Sequence, residues 1–301
     1  MGLDTTVPFT YRQGRAGGLT KHVLQSSAYR HLIHGVYISA DATVDGYTEA
    51  RAALLASRPE AFASFHTAAR LWGGVVPTTD RMHVSVPRGT YRSARGNISV
   101  HASARAPIHF RRLAVTSPID TFLDLATCLN LLDLVVLGDS LVRRGRITPA
   151  ALVTGTPSSG RGMALARRAA GLVRTGVDSP METRCRMLRV LAGLPELETD
   201  IRFHDDQGNL LRRLDAGDRA TRTAAEYDGR HHIVREEQWE ADLGRREEFE
   251  DREWRIITLV SKDIYQTPAS TVERLARIFR ARGIPVGRLT DEWRRYFSDR
   301  G

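Results

Sequence analysis

Lysine, cysteine and long apolar runs are the scarcest features of this chain. Of 44 basic residues only Lys21 and Lys262 are lysines, and the 301 residues include two cysteines. Cys128 and Cys185 lie far apart without a partner at zinc-ligand spacing, so neither a disulfide framework nor a zinc finger is indicated, and we expect both to be small buried side chains. No apolar run approaches the roughly 18 residues of a membrane span, and none reads as a signal peptide. We therefore expect a soluble, cytoplasmic protein with no membrane partner.

The charge of the chain is uneven along its length. Residues 1–175 hold 21 Lys and Arg against 10 Asp and Glu, a net of +11, whereas residues 176–301 hold 23 against 25, a net of −2. A basic region favours a polyanionic partner such as DNA, and a carboxylate-rich region is compatible with a metal site. Because almost all the basic residues are arginine, a bias in coding composition explains the same excess.

The first predicted domain, residues 1–44, contains a short helix, a break at Ser26 and Ser27, a helical turn and the strand-like GVYIS. This order is typical of the end of a winged-helix module. Residues 1–16 offer no good first helix, because glycine, proline and polar residues are scattered through them. A small helix and strand packed on the next domain explain the pattern equally well.

The second predicted domain, residues 45–160, mixes helical segments with the strands RMHVSV and NISVHAS, which is an α+β pattern. Ser117 and Pro118 predict the start of a helix there. The loop TGTPSSGRG separates this domain from the third, residues 161–301, which opens with a basic helix. Four histidines of the second domain lack ligand spacing and are predicted to be packing or surface residues: His66, His83, His101 and His109.

The third domain begins its informative part with a capped helix, SPMETRCRMLRVLAG. Ser179 is the predicted N-cap, Pro180 the first helical residue and Glu182 the capping-box partner, and Gly193 stands where the helix would end. IRFHDDQGNLLRRLDA then predicts two strands around a turn, and TRTAAEYDG predicts a third strand. A helix is predicted at residues 236–252, and a last buried strand at residues 256–260 and the helix TPASTVERLARIFRARG complete the domain.

Carboxylates concentrate on two of these strands. Asp215 and Glu226 are equidistant from a turn centred between Ala220 and Thr221, so a simple antiparallel hairpin would place them opposite each other. Asp228 would share their face, since it lies two residues beyond Glu226. Three carboxylates from neighbouring strands suit a hard divalent cation, of which Mg²⁺ fits best and Mn²⁺ is the alternative.

Two of the candidate carboxylates also have purely structural explanations. Glu182 is accounted for by the capping box with Ser179 alone. Asp228 precedes Gly229, which is ordinary turn chemistry. Both alternatives stay open at this point.

Residues 176–283 resemble the very-short-patch-repair-endonuclease-like group of the PD-(D/E)XK nuclease superfamily, catalogued as domain of unknown function 559. The resemblance rests on SPMETRCRMLRVLAGLPE, LLRRLDA, AAEYDGRHH, QWEADLGRREEFEDREW and WRIITLVSKDIYQTP, and covers about a third of the chain. GVYIS and SFHTAARLWG resemble the N-terminal regions of AbiEi-type antitoxin proteins. The implied fold is α/β, with a restriction-endonuclease-like mixed sheet flanked by helices behind an α+β N-terminal half that has a partial winged-helix start.

The resemblance also implies roles for individual residues. Asp215 and Glu226 would be metal-binding carboxylates, with Glu182 as the carboxylate of the helix. Asp228 stands where many superfamily members have a lysine, so the usual charge stabiliser is missing from the catalytic set. His232, or less favourably His231, would be the general base, because imidazole titrates close to working pH.

These observations predict a metal-dependent endonuclease that hydrolyses phosphodiester bonds of DNA. The alternative is a non-catalytic, DNA-binding regulator of the antitoxin type, with a degenerate nuclease domain and a toxin as a possible partner. A third reading is an interaction module with no role on nucleic acid. The substrate DNA and the oligomeric state are beyond what the sequence indicates.

Overall fold

The protein is a mixed α/β structure of two compact units, Met1–Val173 and Arg174–Gly301. The computed structural model describes residues 2–90, 97–229 and 253–298. In these ranges no helix combines the length and the apolar character needed to cross a membrane. The basic helix that was predicted to open the third domain belongs to the first unit, which ends at Val173.

The first unit begins with a small antiparallel sheet in the strand order β1-β3-β2. Its elements are β1 (Phe9–Thr10), α1 (Tyr11–Ala16), α2 (Lys21–Leu24), β2 (Tyr29–Ile33) and β3 (Val36–Ser39). A capping box starts α1, since the Thr10 hydroxyl accepts the Gln13 N–H and the Gln13 side chain accepts the Thr10 N–H. A helix therefore begins where the sequence predicted none. The predicted helical turn after Ser27 is instead strand β2, because these residues pair with β3.

The remainder of the first unit is built on a five-stranded mixed sheet in the order β6-β5-β4-β8-β7. Its elements are α3 (Gly46–Leu55), β4 (Phe62–Ala63), α4 (Phe65–Leu71), β5 (Met82–Pro87), β6 (Ile98–Ser103), β7 (Ile108–Phe110), β8 (Leu113–Val115), α5 (Pro118–Leu125), α6 (Leu131–Arg143), α7 (Pro149–Gly155) and α8 (Met163–Leu172). The Ser117 hydroxyl accepts the Asp120 N–H, which confirms the predicted start of α5. The exposed Cys128 after α5 corrects the expectation of a buried side chain.

The second unit has the predicted order of a helix followed by a meander. Its elements are α9 (Pro180–Leu191), β9 (Glu198–His204), β10 (Leu210–Asp218), β11 (Thr223–Tyr227), β12 (Arg255–Leu259), α10 (Ser261–Tyr265), α11 (Pro268–Ala281) and the 3-10 helix Glu292–Arg295. The sheet runs β12-β11-β10-β9, with three antiparallel strands and β12 parallel to β11. The helix predicted at residues 236–252 lies outside the described residues.

Close packing in the first unit depends on one glycine of α6. A Cβ at Gly138 would lie 2.3 Å from Val173 Cγ2 and 3.3 Å from Phe122 Cε2, so only glycine allows this approach. The exposed Gly171 of α8 differs in this respect, because a Cβ there would have no heavy atom within 4 Å.

Three of the four histidines noted in the sequence meet in the first unit. His83 Nδ1 lies 2.9 Å from His101 Nε2, and the ring centroid of His66 lies 4.9 Å from that of His83. Burial lowers the pKa of His83 to about 4, helped by the neighbouring histidines and by the positive charges of Arg70 and Arg81. His83 is therefore neutral in the folded protein at neutral pH. These rings pack as predicted, and His109 is at the surface.

The contact at Gly138 generates a stability prediction. Gly138→Ala should lower the free energy of unfolding by about 1–3 kcal/mol, because the added methyl overpacks the site against Val173. The matched change Gly171→Ala should be neutral or raise that free energy by up to about 1 kcal/mol through helix propensity. Urea unfolding followed by circular dichroism measures both. Equal effects of the two substitutions would contradict the packing argument.

Burial of His83 generates a pH prediction. The unfolded chain binds a proton at His83 near pH ~6.5, whereas the folded protein binds it only near 4. The unfolded state thus binds more protons between these values, and stability should fall as the pH is lowered through this window. Urea midpoints at pH 7 to 4.5 should fall more steeply for the wild type than for His83→Gln. His109→Gln is the control and should keep the wild-type dependence; a His83→Gln curve parallel to wild type would count against the argument.

Candidate functional site

The N-terminus of α9 positions the first candidate carboxylate. The Ser179 hydroxyl accepts the Glu182 N–H at 3.1 Å, and Pro180 begins the helix, as predicted. The Glu182 carboxylate accepts the Asp178 N–H at 2.9 Å, so it reaches one residue beyond the N-cap. Glu182 therefore has a capping role, which was the structural alternative for this residue. The same side chain also contacts strand β10, because its carboxylate forms an ion pair with Arg213.

The hairpin of β10 and β11 has the predicted turn centre. Its paired residues are Ala216 with Ala225, Gly217 with Ala224, and Asp218 with Thr223. One further step in this register would place Asp215 opposite Glu226. Regular pairing ends at Ala216, and the Asp215 carboxylate instead accepts the backbone N–H of Tyr227 at 3.0 Å.

Arg213 joins Asp215 to Glu182. Arg213 Nη2 lies 3.1 Å from Glu182 Oε2 and 3.7 Å from Asp215 Oδ1. The same guanidinium forms an ion pair with Asp178, and its Nε lies 3.2 Å from Asp200 Oδ1. We call these five residues the Arg213 cluster. One cation thus neutralises part of a group of four carboxylates that come from α9, β9, β10 and the segment before α9.

A small cavity of about 10 Å³, which is room for about one water molecule, adjoins the cluster. Its lining includes Glu182, Cys185, Arg186, Arg189, Asp215, Ala225 and Tyr227. Since successive residues of a strand project to opposite faces, Glu226 is directed away from the cavity, to the side where Ala224 packs on Trp254. Glu226 was predicted to lie opposite Asp215. Glu182 takes that place instead, because regular strand pairing stops at Ala216 and the Asp215 side chain turns toward α9.

Asp228 lies beyond the end of β11. Its backbone N–H donates to the carbonyl of Leu259 at 2.8 Å, which prolongs the contact of β11 with β12. His231 and His232 lie outside the described residues. Their predicted role as a general base stays a prediction.

Two arginines of α9 are buried beside the same cavity. Arg186 and Arg189 are 1% and 2% exposed, and Arg186 Nη1 lies 3.6 Å from Glu196 Oε1. Arg189 Nε is buried and has no hydrogen-bond partner among the described residues. Burial lowers the pKa of Arg189 to about 10, which leaves it cationic at neutral pH. Buried cationic donors of this kind suit an anion or ordered water in the cavity.

The Glu182 carboxyl is partly buried and feels the negative charge of Asp215. Burial raises the pKa of Glu182, and the negative charge of Asp215 raises it further, against smaller opposing effects that include Arg213. A cation between Glu182 and Asp215 would relieve this repulsion, and carboxylate oxygens are ligands that Mg²⁺ prefers. In the ranges 2–90, 97–229 and 253–298 no group of three His, Cys, Asp or Glu side chains is arranged to hold a metal ion. Glu182 and Asp215 are thus candidate oxygen ligands for Mg²⁺, without a third such side chain placed to complete a metal site in these ranges.

Arg213, Arg186 and Arg189 were not among the residues predicted from the sequence. Arg213 could have been found, because it lies two residues before Asp215 on one strand, and such residues share a face. Arg186 and Arg189 are each next in sequence to an apolar residue of α9, Cys185 and Leu188 respectively. Cys185 is buried as predicted, and burial raises the pKa of its thiol to about 12.

Comparison with known proteins gives little further guidance. No family model matches the chain, and no curated protein matches it. Among solved structures, the crystal structure of the RV2827C protein from Mycobacterium tuberculosis is similar, with 15% identity, a TM-score of 0.36, and coverage of 60% of this chain and 75% of that chain. Similarity at this level carries no argument about fold or function.

Loss of the Arg213 side chain should destabilise the protein more than loss of an arginine in an exposed ion pair. Arg213→Gln should lower the free energy of unfolding at neutral pH by about 1–3 kcal/mol, because partly buried carboxylates lose their shared cation. The control Arg219→Gln removes an exposed pair with Glu198, with side chains 52% and 50% exposed, and should change it by less than about 1 kcal/mol.

Millimolar Mg²⁺ provides the second readout for the same variant. Because the four carboxylates repel one another without Arg213, added Mg²⁺ should raise the melting temperature of Arg213→Gln more than that of wild type. Thermal melts with and without Mg²⁺ measure this difference. A variant as stable as wild type and insensitive to the ion would show that Arg213 does not balance the cluster.

Proposed function

We propose that this chain is a metal-dependent endonuclease that hydrolyses phosphodiester bonds of DNA. The observation that carries the proposal is the pairing of opposite charges around one cavity. Glu182 and Asp215 offer oxygen ligands for a divalent cation, and the buried Arg186 and Arg189 offer positive charge for a phosphate. A phosphodiester together with a divalent cation needs both kinds of group.

Each residue has a distinct part in this proposal. Glu182 and Asp215 would hold Mg²⁺ or Mn²⁺, while Arg189 would donate to a phosphate oxygen through its Nε, which has no hydrogen-bond partner among the described residues. A bound cation of this type supplies charge that lowers the pKa of water and offsets the charge of the phosphate. Arg213 is the cation nearest to both carboxylates and would supply the charge for which many superfamily members use a lysine.

The proposed reaction is hydrolysis by a water molecule. The water oxygen forms a bond to phosphorus, the bond between phosphorus and the leaving alkoxide oxygen breaks, and a proton from water reaches the leaving oxygen. His232 would accept the proton that the attacking water loses. Glu226 and Asp228 also belong to the catalytic set predicted from the sequence, but Glu226 is directed away from the cavity and neither residue lines it, so neither has a part in the proposed metal site.

A second candidate function is favoured by the contacts of Arg213. The ion pairs of Arg213 with Asp178 and Glu182 already neutralise part of the cluster, and Asp228 stands in place of the usual lysine. A degenerate nuclease domain on a DNA-binding regulator of antitoxin type would have these properties. DNA would then be a ligand without being cut, and a toxin would be the further partner.

Asp215→Asn separates catalysis from folding. The substitution keeps the size of the side chain but removes an anionic ligand, so Mg²⁺-dependent nicking of supercoiled plasmid should fall by orders of magnitude while the fold persists. Glu182→Gln should act in the same direction. His232→Ala should reduce the rate by about 10² to 10⁴ if His232 is the general base.

The matched control is Asp206→Asn, since Asp206 is exposed in the turn between β9 and β10, away from the cavity lining. It should nick at the wild-type rate. Wild-type protein that never nicks DNA with Mg²⁺ or Mn²⁺, or an Asp215→Asn variant that nicks as fast as wild type, would remove the nuclease proposal. The first of these outcomes, together with DNA binding, would leave the regulator as the function.

A further inference from the structure

A surface of the first unit gathers arginines around an aromatic pair formed by the buried Trp72 and the partly exposed Phe110. The rings of Trp72 and Phe110 lie 4.4 Å apart between centroids, and the guanidinium carbon of Arg146 lies 4.8 Å from the centroid of Phe110. Arg111 reaches the same ring at 5.7 Å. Both guanidiniums are thus held by cation–π contact with one ring, which restricts their positions before any ligand arrives.

The backbone around Trp72 brings in a further arginine. Arg146 Nε donates to the Trp72 carbonyl at 3.2 Å, and a Cβ at Gly73 would lie 3.2 Å from Arg144 Nε. Arg144 and Arg146 follow the end of α6 and therefore flank the chain at the end of α4. With Arg111 and its neighbour Arg112, four arginines from two separate segments lie around the aromatic pair, and we call them the arginine patch.

The turn between β7 and β8 projects two of these arginines. Arg111 and Arg112 have φ values of 48° and 64°, a left-handed conformation in which glycine or asparagine is less strained, and both side chains are exposed. A two-residue turn of this kind places both residues at the tip of the hairpin. Because this conformation costs energy, it is compatible with a role of the two exposed charges in binding a ligand instead of in stabilising the fold.

The arginine patch has no ion pair within the part of the chain that the structure describes: none is formed by Arg111, Arg112, Arg144 or Arg146 there. Asp45, whose carboxylate is influenced by the charge of Arg111, is itself used to cap α3. Four guanidiniums without an ion pair among the described residues, spread over two segments, match a row of phosphates better than a single small anion.

We propose that the arginine patch binds the sugar-phosphate backbone of duplex DNA. The inference rests on the proposed function for the identity of the polyanion, and it assigns the contact to a surface separate from the cavity residues Glu182 and Asp215. Contacts of guanidinium groups with phosphate fix orientation and carry no sequence information. The patch would therefore hold DNA without sequence preference.

The test is fluorescence polarisation of a labelled duplex with the full chain, in EDTA so that cleavage cannot occur. Arg112→Gln/Arg144→Gln should weaken binding by about 10-fold or more at moderate salt and reduce the slope of log K against log salt by about 2. Arg88→Gln/Arg161→Gln removes the same charge from exposed positions outside the patch and should weaken binding by less than about 3-fold. Thermal melts establish that all variants are folded.

The outcomes separate this inference from the nuclease proposal. A wild type that binds DNA through the patch and never nicks it would support the inference and remove the nuclease. Patch variants that bind like wild type, or control variants that lose as much affinity as patch variants, would overturn the inference even if the wild type nicks DNA. Binding to vesicles of anionic phospholipid with the same arginine dependence, and none to DNA at low salt, would overturn it as well.

Discussion

The shared cation of Arg213 is the interaction on which the candidate site depends. Four carboxylates converge on it from different segments, and such a group is unfavourable in a partly buried place unless positive charge accompanies it. The pKa of Glu182 is raised first by burial and then by the charge of Asp215, while Arg213 lowers it. Under the proposed function, a divalent cation would stabilise the ionised carboxylates further.

The two units manage their charge differently. In the second unit acidic and basic groups converge on one cavity, where Glu182 and Asp215 meet the buried Arg189. In the first unit Arg111 and Arg144 are exposed. The ring of Phe110 positions the guanidiniums of Arg111 and Arg146 by cation–π contact and leaves their positive charge unchanged. Hydrolysis of a phosphodiester bond and binding of a long polyanion are different tasks. We propose the first for the second unit and the second for the first unit.

Prediction from sequence succeeded where a structure depends on neighbours along the chain. The helix from Pro180 to Leu191 follows from Ser179 and Pro180, and the hairpin centre follows from the spacing of its strands. Prediction was wrong at α1, whose capping box of Thr10 and Gln13 was overlooked, and at β2, where pairing with β3 overrides a weak helical pattern. The prediction of a buried Cys128 was also wrong, because this side chain is exposed after the end of α5.

By itself the sequence determined the N-caps of α5 and α9, the order of helix and meander in the second unit, and the turn centre of its hairpin. Those features arise from hydrogen bonds and alternation over a few residues, which a pattern of letters expresses directly. Only the tertiary structure decided that Asp215 turns toward Glu182 while Glu226 is directed elsewhere, that Arg213 joins the carboxylates, and that Arg189 is buried. The physical reason is that these contacts join segments distant in sequence, where a single interrupted strand pair changes which side chains meet.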